Sequence, residues 1–381
     1  MGSIVLTQGQ AEGTKKIIDW YQKQNIQEFK LAGYAGTGKS FMVSNVIDEL
    51  NLNLSQVAFC AFTGKASLVL MRYLGSDYNV STIHRLIYEV IEGPFDAFSF
   101  ELKKKLLGIR LIVVDESSMI NLEILNDLKS FGISILFIGD HGQLEAIGEQ
   151  GNFMKNPDHV LTEIMRQLEG DPLIHLSMLA REQKRIDLGK YGNSALVIRK
   201  SEMNVDAMLR ADQVICGYNK TVQQVNSEIR FARGFYKDSP EFGDKIIFNR
   251  NNYKNTLEGY PITNGMIGYI VSEPVLGRHK NKDILGNFYK MDIQADFLDK
   301  AFLDIYIPEK DFLEYDKTFH GGKGKNLVNR AHYGNAITCH KSQGDQFDNV
   351  YLINESFGDE PWRWLYTGIT RAKKGLILAT N

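Results

Sequence analysis

Little in this chain staples it together or breaks it up. Only 3 cysteines and 8 prolines occur in 381 residues. Cys60, Cys216 and Cys339 lie far apart with no CxxC spacing, which argues against a disulfide framework or a cysteine-built zinc site and fits a reducing, cytoplasmic setting. No run of about 18 uncharged apolar residues is present, so neither a transmembrane helix nor a membrane partner is expected. The opening MGSIVLTQGQ lacks the basic-then-apolar order of a secretory leader. Nor is there an excess of one charge: 44 basic and 46 acidic side chains leave a net −2. That excludes a polybasic binder, although a local positive groove on a neutral protein stays open. What is present is ordinary globular composition, 43% hydrophobic and 24% charged, long enough for two or three domains.

The first half alternates short apolar runs with helical stretches. Val57–Ala61, Arg110–Glu116 and Ile133–Asp140 read as strands buried on both faces of a parallel sheet. Between them, Met42, Val43, Val46, Ile47 and Leu50 share one helical face, as do Leu122, Leu125 and Leu128. This alternation predicts a doubly wound α/β lobe. A second α/β series follows, with strands at Asp212–Asn219, Asn349–Ile353 and Gly375–Thr380 and a helix carrying Val222, Val225 and Ile229. The stretch from Phe242 to Lys325 changes character, and alternating segments such as GMIGYIV predict an antiparallel β insertion.

Gly33-Tyr-Ala-Gly36-Thr37-Gly38-Lys39-Ser40 matches G-x-x-x-x-G-K-[ST], after a short apolar run and at the start of a helix. Glycines let successive N–H groups turn toward phosphate, and a helix N-terminus favours the negative charge. Lys39 would neutralise the β- and γ-phosphates, and Ser40 would ligate Mg²⁺. Asp115 and Glu116 end the most hydrophobic strand of the lobe. Asp115 would complete the Mg²⁺ shell, and Glu116 could deprotonate the attacking water. Together these segments predict a site of NTP hydrolysis. Only one such loop serves two lobes, because Gly321–Lys325 has the wrong spacing for another. Arg166 and Arg371 are therefore candidates to reach the γ-phosphate from the second lobe, or else surface ion-pair residues.

Taken in order, these segments resemble the superfamily 1 helicases, in the 5′→3′ branch typified by the phage Dda helicase and bacterial RecD-type enzymes. LTQGQ is similar to the adenine-reading Q motif, GYAGTGKS to motif I and AFTGKAS to motif Ia. STIHRL resembles the Thr-Ile-His motif, VVDESSM motif II, GDHGQLEAIG motif III and LTEIMR motif IV. AITCHKSQG and YTGITRAKKG are similar to motifs V and VI. The resemblance runs from residue 6 to residue 375. It implies ATP and Mg²⁺ as cofactors, with Gln10 on adenine, Gln143 sensing the γ-phosphate, Arg166 and Arg371 as arginine fingers, and Gln343 and Gly344 close to the nucleotide. It also implies that Thr63, Gly64, Lys65 and His84 on the first lobe, and Thr338, His340 and Lys341 on the second, contact single-stranded DNA. Short hydroxyls and ammonium groups suit phosphate oxygens, but each of these residues reads equally as a solvated or packed side chain.

The same resemblance implies two RecA-like doubly wound parallel-sheet lobes in an α/β fold. The expected division gives lobe 1 residues 1–86 and 108–167, and lobe 2 residues 168–241 and 326–381. A pin would occupy 87–107, with Phe95, Phe98 or Phe100 as a wedge or merely packed locally, and an SH3-like insertion 242–325. The implied activity is an ATP-dependent DNA helicase moving 5′→3′ on single-stranded DNA and unwinding tailed or forked duplex, in replication, recombination or repair. A phage-encoded origin and a single-strand-binding protein or replisome component as partner belong to the same expectation. The alternatives are a translocase with weak unwinding and a nucleotide-gated DNA-binding module without a motor cycle. No carboxylate-lysine cluster suggests a nuclease.

Overall fold

The computed structural model describes residues 6–75, 77–92, 98–144, 154, 156–163, 170–258, 260–279, 284–313, 328–358 and 360–381. The chain begins with α1 (Gln8–Lys23), β1 (Glu28–Gly33), α2 (Lys39–Glu49), β2 (Val57–Ala61), α3 (Gly64–Leu74), β3 (Asn79–Thr82) and the short α4 (Ile83–Ile87). An antiparallel hairpin of β4 (Tyr88–Glu92) and β5 (Phe98–Leu102) interrupts the series, before β6 (Leu111–Asp115), α5 (Leu122–Ser130), β7 (Ser134–Gly139) and β8 (His159–Leu161). The six strands other than the hairpin form one parallel sheet in the order β3-β2-β6-β7-β1-β8. All five residues of β2 are buried, as a strand covered by helices on both faces requires. The two faces pack separate cores. Ile17, Met42 and Val46 lie over one face, while Ile83, Ile124 and Leu128 lie over the other. Each such aliphatic side chain stabilises the lobe by roughly 1.5–3 kcal/mol.

A second lobe is built from α6 (Pro172–Arg181), β9 (Gly189–Tyr191), β10 (Ala195–Arg199), α7 (Val205–Leu209), β11 (Gln213–Cys216) and α8 (Asn219–Ala232). It resumes late in the chain with β20 (Ala336–Thr338), β21 (Phe347–Ile353), α10 (Pro361–Ile369) and β22 (Ala372–Thr380). Its sheet runs β20-β11-β21-β22-β10-β9, and every pair is parallel except the edge strand β9. The doubly wound α/β architecture expected from the alternating runs is thus present twice.

Between the two halves of that lobe lies an antiparallel module. It comprises β12 (Lys245–Phe248), the β13 (Asn252–Leu257) and β14 (Tyr260–Ile262) pair, β15 (Ile267–Ile270), β16 (Val275–Arg278), β17 (Asn287–Ala295), β18 (Ala301–Pro308), α9 (Glu309–Leu313) and β19 (Ala331–Tyr333). Alternate residues Met291, Ile293 and Ala295 of β17 point into its core beside Ile305 and Ile307, which is the period of two seen in the sequence. The sheet extends past residue 325, because β19 pairs with β12. A buried polar joint ties the module to lobe 2. Lys245 Nζ donates to the Asp212 carbonyl at 2.6 Å and to Gln213 Oε1 at 2.8 Å, while Gln213 Nε2 donates to the carbonyls of Gly334 and Asn335. Burial pulls the Lys245 ammonium down to about 8. Among the described residues no helix is long and apolar enough to cross a membrane.

Candidate nucleotide cleft and strand groove

The glycine-rich loop leaves β1 and enters α2 with Gly36 at φ 79° and Gly38 at φ 73°, a region that L side chains avoid. Thr37 is buried inside the turn, where its hydroxyl donates to the Tyr34 carbonyl at 2.8 Å. A Cβ on Gly33 would fall 2.7 Å from Thr37 Oγ1, so the turn closes only with glycine there. Lys39 folds back and donates to the carbonyls of Gly33 (2.7 Å) and Tyr34 (3.0 Å), which holds its ammonium at the loop's mouth. Ser40 stands in the first turn of α2.

Gln10 approaches the same loop from α1. Its Nε2 donates to the Thr37 carbonyl at 3.0 Å, and its Oε1 accepts the Thr7 N–H at 3.0 Å as half of a capping box. The side chain assigned to adenine by resemblance is therefore fixed as a strut between helix and loop.

Across the cleft, Asp115 ends β6 and Asp140 directly follows β7, the neighbouring strand. Parallel strands deliver such end residues to the same edge of the sheet. Glu116 adopts φ 51°, a strained left-handed conformation for a non-glycine residue, and its N–H bonds Asp115 Oδ1 at 2.9 Å. Removal from water pushes both carboxyls above their ordinary values. For Glu116 the nearby Asp115 adds to the effect, while Arg371 and Lys39 oppose it; for Asp115 the Glu116 N–H and Lys39 oppose it. Gln143 is buried, and its Oε1 has no hydrogen-bond partner among the described residues, while its Nε2 donates to Asp140. A glycine-rich turn at a helix N-terminus, one ammonium at its mouth, crowded carboxylates and the Gln143 acceptor fit a triphosphate with a divalent cation. Ser40 and Asp115 are the oxygens that would hold the metal. Among the described residues no cluster of three or more His, Cys, Asp or Glu side chains forms a preassembled metal cage.

The second lobe closes onto this cleft through α10. The Tyr366 hydroxyl donates to Asp140 Oδ2 at 2.6 Å and accepts the Ala35 N–H of the glycine-rich loop at 2.9 Å. Thr367 Oγ1 accepts the Leu144 N–H at 2.9 Å, Arg363 donates to the His141 carbonyl, and Gln343 Nε2 donates to the Leu144 carbonyl at 2.6 Å. Arg181, at the end of α6, places its guanidinium 3.9 Å from the centre of the Tyr34 ring. Gly142 packs so closely that a Cβ there would lie 2.8 Å from Tyr34 and 3.2 Å from Tyr366.

Arg371 is 1% exposed. Its donors bond the Thr367 and Asp345 carbonyls and Thr370 Oγ1, so it is held within lobe 2 while its charge still reaches Glu116. Gly344 sits beside Thr63 of lobe 1, and its Cβ position is 3.5 Å from Thr63 Oγ1. Arg166 and Phe95 lie outside the described residues, as does the side chain of Phe98. Phe100 is 39% exposed, and its ring packs edge-on to Tyr88.

A groove of about 940 Å³ runs between the lobes and the β module, and Thr63, Lys65, His84, Thr338, His340 and Lys341 all line it. Gly64 lies just behind, in a small neighbouring cleft. Not all of these groups are idle. Lys65 Nζ sits 2.8 Å from Asp296 of the β module and 3.8 Å from Asp345, and 4.8 Å from the centre of the Phe347 ring. Burial opposes its charge, but Asp345 and Asp296 outweigh that and raise its pKa. Lys341 donates to Asn249 Oδ1. Burial lowers the pKa of both His84 and His340, with Glu123 opposing it at His84, so both rings favour the neutral form.

Sequence reading passed over Asp140, Tyr366, Arg181 and Arg363. Asp140 carries a signal, an acid directly after a buried strand, as Asp115 does. The other three carry none, because their partners lie on a different lobe.

The family described as an AAA domain matches residues 5–201, about half of the sequence. The chain belongs to this AAA domain family. A UvrD-like helicase C-terminal domain matches residues 333–379 of the same AAA protein. A protein of Acanthamoeba polyphaga mimivirus is 30% identical over 185 residues, covering 40% of this chain and 37% of that protein. A Methanocaldococcus jannaschii protein is 23% identical over a 456-residue alignment, covering 91% of this chain and 36% of that protein. The chain thus spans little more than a third of these curated relatives. Two coordinating Pif1 helicases, studied for unwinding of forked double-stranded DNA, match with a TM-score of 0.56 and 18% identity over 99% of this chain and 92% of that one. Bacteroides Pif1 bound to single-stranded DNA gives 0.55 and 17%, with the same coverage of 99% and 92%. Bacteroides Pif1 with ADP-AlF3 and single-stranded DNA gives 0.52 and 18%, again over 99% and 92%. The chain therefore has the two-lobed fold of these Pif1 helicase structures.

Proposed function

We propose that the chain is an ATP-dependent helicase that moves 5′→3′ along single-stranded DNA and separates tailed or forked duplex. The observation that carries this reading is the Tyr366 hydroxyl, which joins the glycine-rich loop, Asp140 and lobe 2 in one hydrogen-bonded unit. What occupies the cleft therefore bears on how the lobes sit, and the groove behind them is lined by all three parts of the molecule. Lys39 and the loop N–H groups hold the phosphates, and Ser40 and Asp115 would hold Mg²⁺, whose charge would offset that of the phosphates and the neighbouring carboxylates. Glu116 takes the proton of the attacking water, and Gln143 orients that water through its free Oε1. Arg371, with Arg166, stabilises the charge of the transferred phosphoryl group. On the groove side, the hydroxyls of Thr63 and Thr338 meet strand phosphates. Lys65 joins them once phosphate displaces Asp296.

The division into lobe 1, a pin at 87–107, lobe 2 and an SH3-like module at 242–325 belongs to the same proposal, and polarity rests on the family resemblance. Bacteroides Pif1 bound to single-stranded DNA and the Pif1 pair at forked DNA support this choice of nucleic acid. ATP-driven unwinding of duplexes with a 5′ or a 3′ single-stranded tail tests the reading, with Glu116→Gln as control. Separation from the 5′ tail alone, lost in the control, is expected. Strand-stimulated ATP hydrolysis without separation from either tail would leave a translocase instead.

A further inference from the structure

Lobe 2 carries an apolar feature that the nucleotide chemistry does not use. Tyr218, at the N-terminus of α8, and Phe357, in the loop after β21, stack with ring centroids 5.2 Å apart and planes 23° from parallel. Both are open to water, Tyr218 at 51% and Phe357 at 39% exposure. They stand on the wall of the same groove that holds Thr63, Thr338 and Lys341. Adjacent large rings left in water mark a surface built to be covered.

The pair is locked from below. Glu355 Oε2 accepts the N–H groups of Gly217 (2.8 Å) and Tyr218 (3.1 Å), and its Oε1 accepts the Thr221 hydroxyl at 2.6 Å. Gly217 packs so tightly that a Cβ there would fall 2.6 Å from the Glu355 carbonyl oxygen. The two loops that carry the rings are therefore fastened to each other within two residues of each ring. His340 extends the row, its ring 6.1 Å from Phe357 and tilted by 33°. Burial keeps that imidazole neutral. The Glu355 carboxylate fills the N-terminus of α8, where a phosphate would otherwise be drawn, and repels a second anion. What remains at this corner is a flat, uncharged π-surface, the chemistry on which a nucleobase stacks.

We propose that Tyr218 and Phe357, extended by His340, form a base-stacking platform for an unpaired nucleobase of the bound strand, an inference that rests on the single-strand reading above. The groove then grips by two chemistries: Thr63 of lobe 1 and Thr338 of lobe 2 hold the backbone, while the rings of lobe 2 hold a base. Such a grip tolerates any sequence, because every base has a π-face, but it fails where the base is missing.

Equilibrium binding of a fluorescently labelled single strand, intact or with abasic sites, tests this in the full chain. Wild type should prefer the intact strand by roughly 5- to 150-fold. Tyr218→Ala and Phe357→Ala, both at exposed positions, should bind the two strands alike, at the wild type's abasic affinity. Tyr218→Phe should keep the preference, since stacking needs the ring and not the hydroxyl. No preference in wild type, or alanine variants that lose affinity for both strands in equal proportion, overturns the platform. Failure of folded wild type to bind either strand overturns the single-strand reading itself and is distinguishable from both.

Discussion

Replacing Tyr366 by phenylalanine removes one oxygen from the middle of the lobe interface and leaves the buried ring in place. That oxygen donates to Asp140 Oδ2 at 2.6 Å and accepts the Ala35 N–H at 2.9 Å. A hydrogen bond to a charged acceptor contributes roughly 1.5–3 kcal/mol, and a neutral one roughly 1 kcal/mol. Asp140 keeps the Gly142 N–H and Gln143 Nε2, so part of the loss is recovered. The net effect on the closed arrangement is roughly 2–3 kcal/mol, or about 30- to 150-fold in its equilibrium. The assay is kcat/KM for ATP at saturating single strand. A drop of that order is expected, with thermal unfolding little changed because each lobe keeps its own core. Asp140→Asn should lose a comparable amount, and the double variant should lose far less than the two losses combined, since both touch one bond. A kcat/KM within about twofold of wild type, or fully additive losses, would refute the view that this hydroxyl couples the cleft to lobe 2.

Four further outcomes are expected. Glu116→Gln should cut ATP turnover by roughly 10²- to 10⁴-fold while fluorescent-nucleotide titration shows binding retained. Gly142→Ala should place a methyl 2.8 Å from Tyr34 and cost about 1–3 kcal/mol of closure, read as lost ATPase and a more open shape in solution scattering. Gln10→Ala removes a capping partner and the bond to Thr37, so it should destabilise lobe 1 by roughly 1–2 kcal/mol; KM should rise for ATP and GTP together, whereas a rise for ATP alone would support the adenine-reading role. Burial pushes Asp345 from 3.8 up to about 6, against Lys65. The folded chain therefore holds a proton that the unfolded chain releases, and stability should fall by roughly 3 kcal/mol as pH rises from about 4 to 6, then level off. Urea unfolding across that range should show the slope, and Asp345→Asn should flatten it.

The nucleotide loop and the strands of both sheets were legible because their signals are local. Glycine at Gly36 and Gly38 answers a backbone requirement within the loop, and the run at Val57–Ala61 answers burial on two faces of one strand. Asp140 was legible in principle, since acids at the ends of adjacent parallel strands converge. The states of Gln10, Lys65 and Arg371 were not. Motif type names each as a ligand-facing group, yet Gln10 braces Thr37, Lys65 pairs with an aspartate 231 residues away, and Arg371 is enclosed by carbonyls of its own lobe.

Local chemistry along the chain was enough to specify two α/β lobes, one phosphate-binding loop, a carboxylate pair beside it and a β insertion in the second lobe. Those features depend on side-chain period and on residues a few positions apart, so they survive reading in one dimension. Which charges are neutralised, which hydroxyl spans the cleft, and that Tyr218 and Phe357 stack at the groove wall were decided by folding. Each depends on elements far apart in sequence that meet only when the lobes and the β module pack. Burial then sets the sign of the pKa shifts at Asp115, Glu116, Lys245 and Asp345, two aspartates reverse it at Lys65, and close approach sets which hydrogen bonds can form.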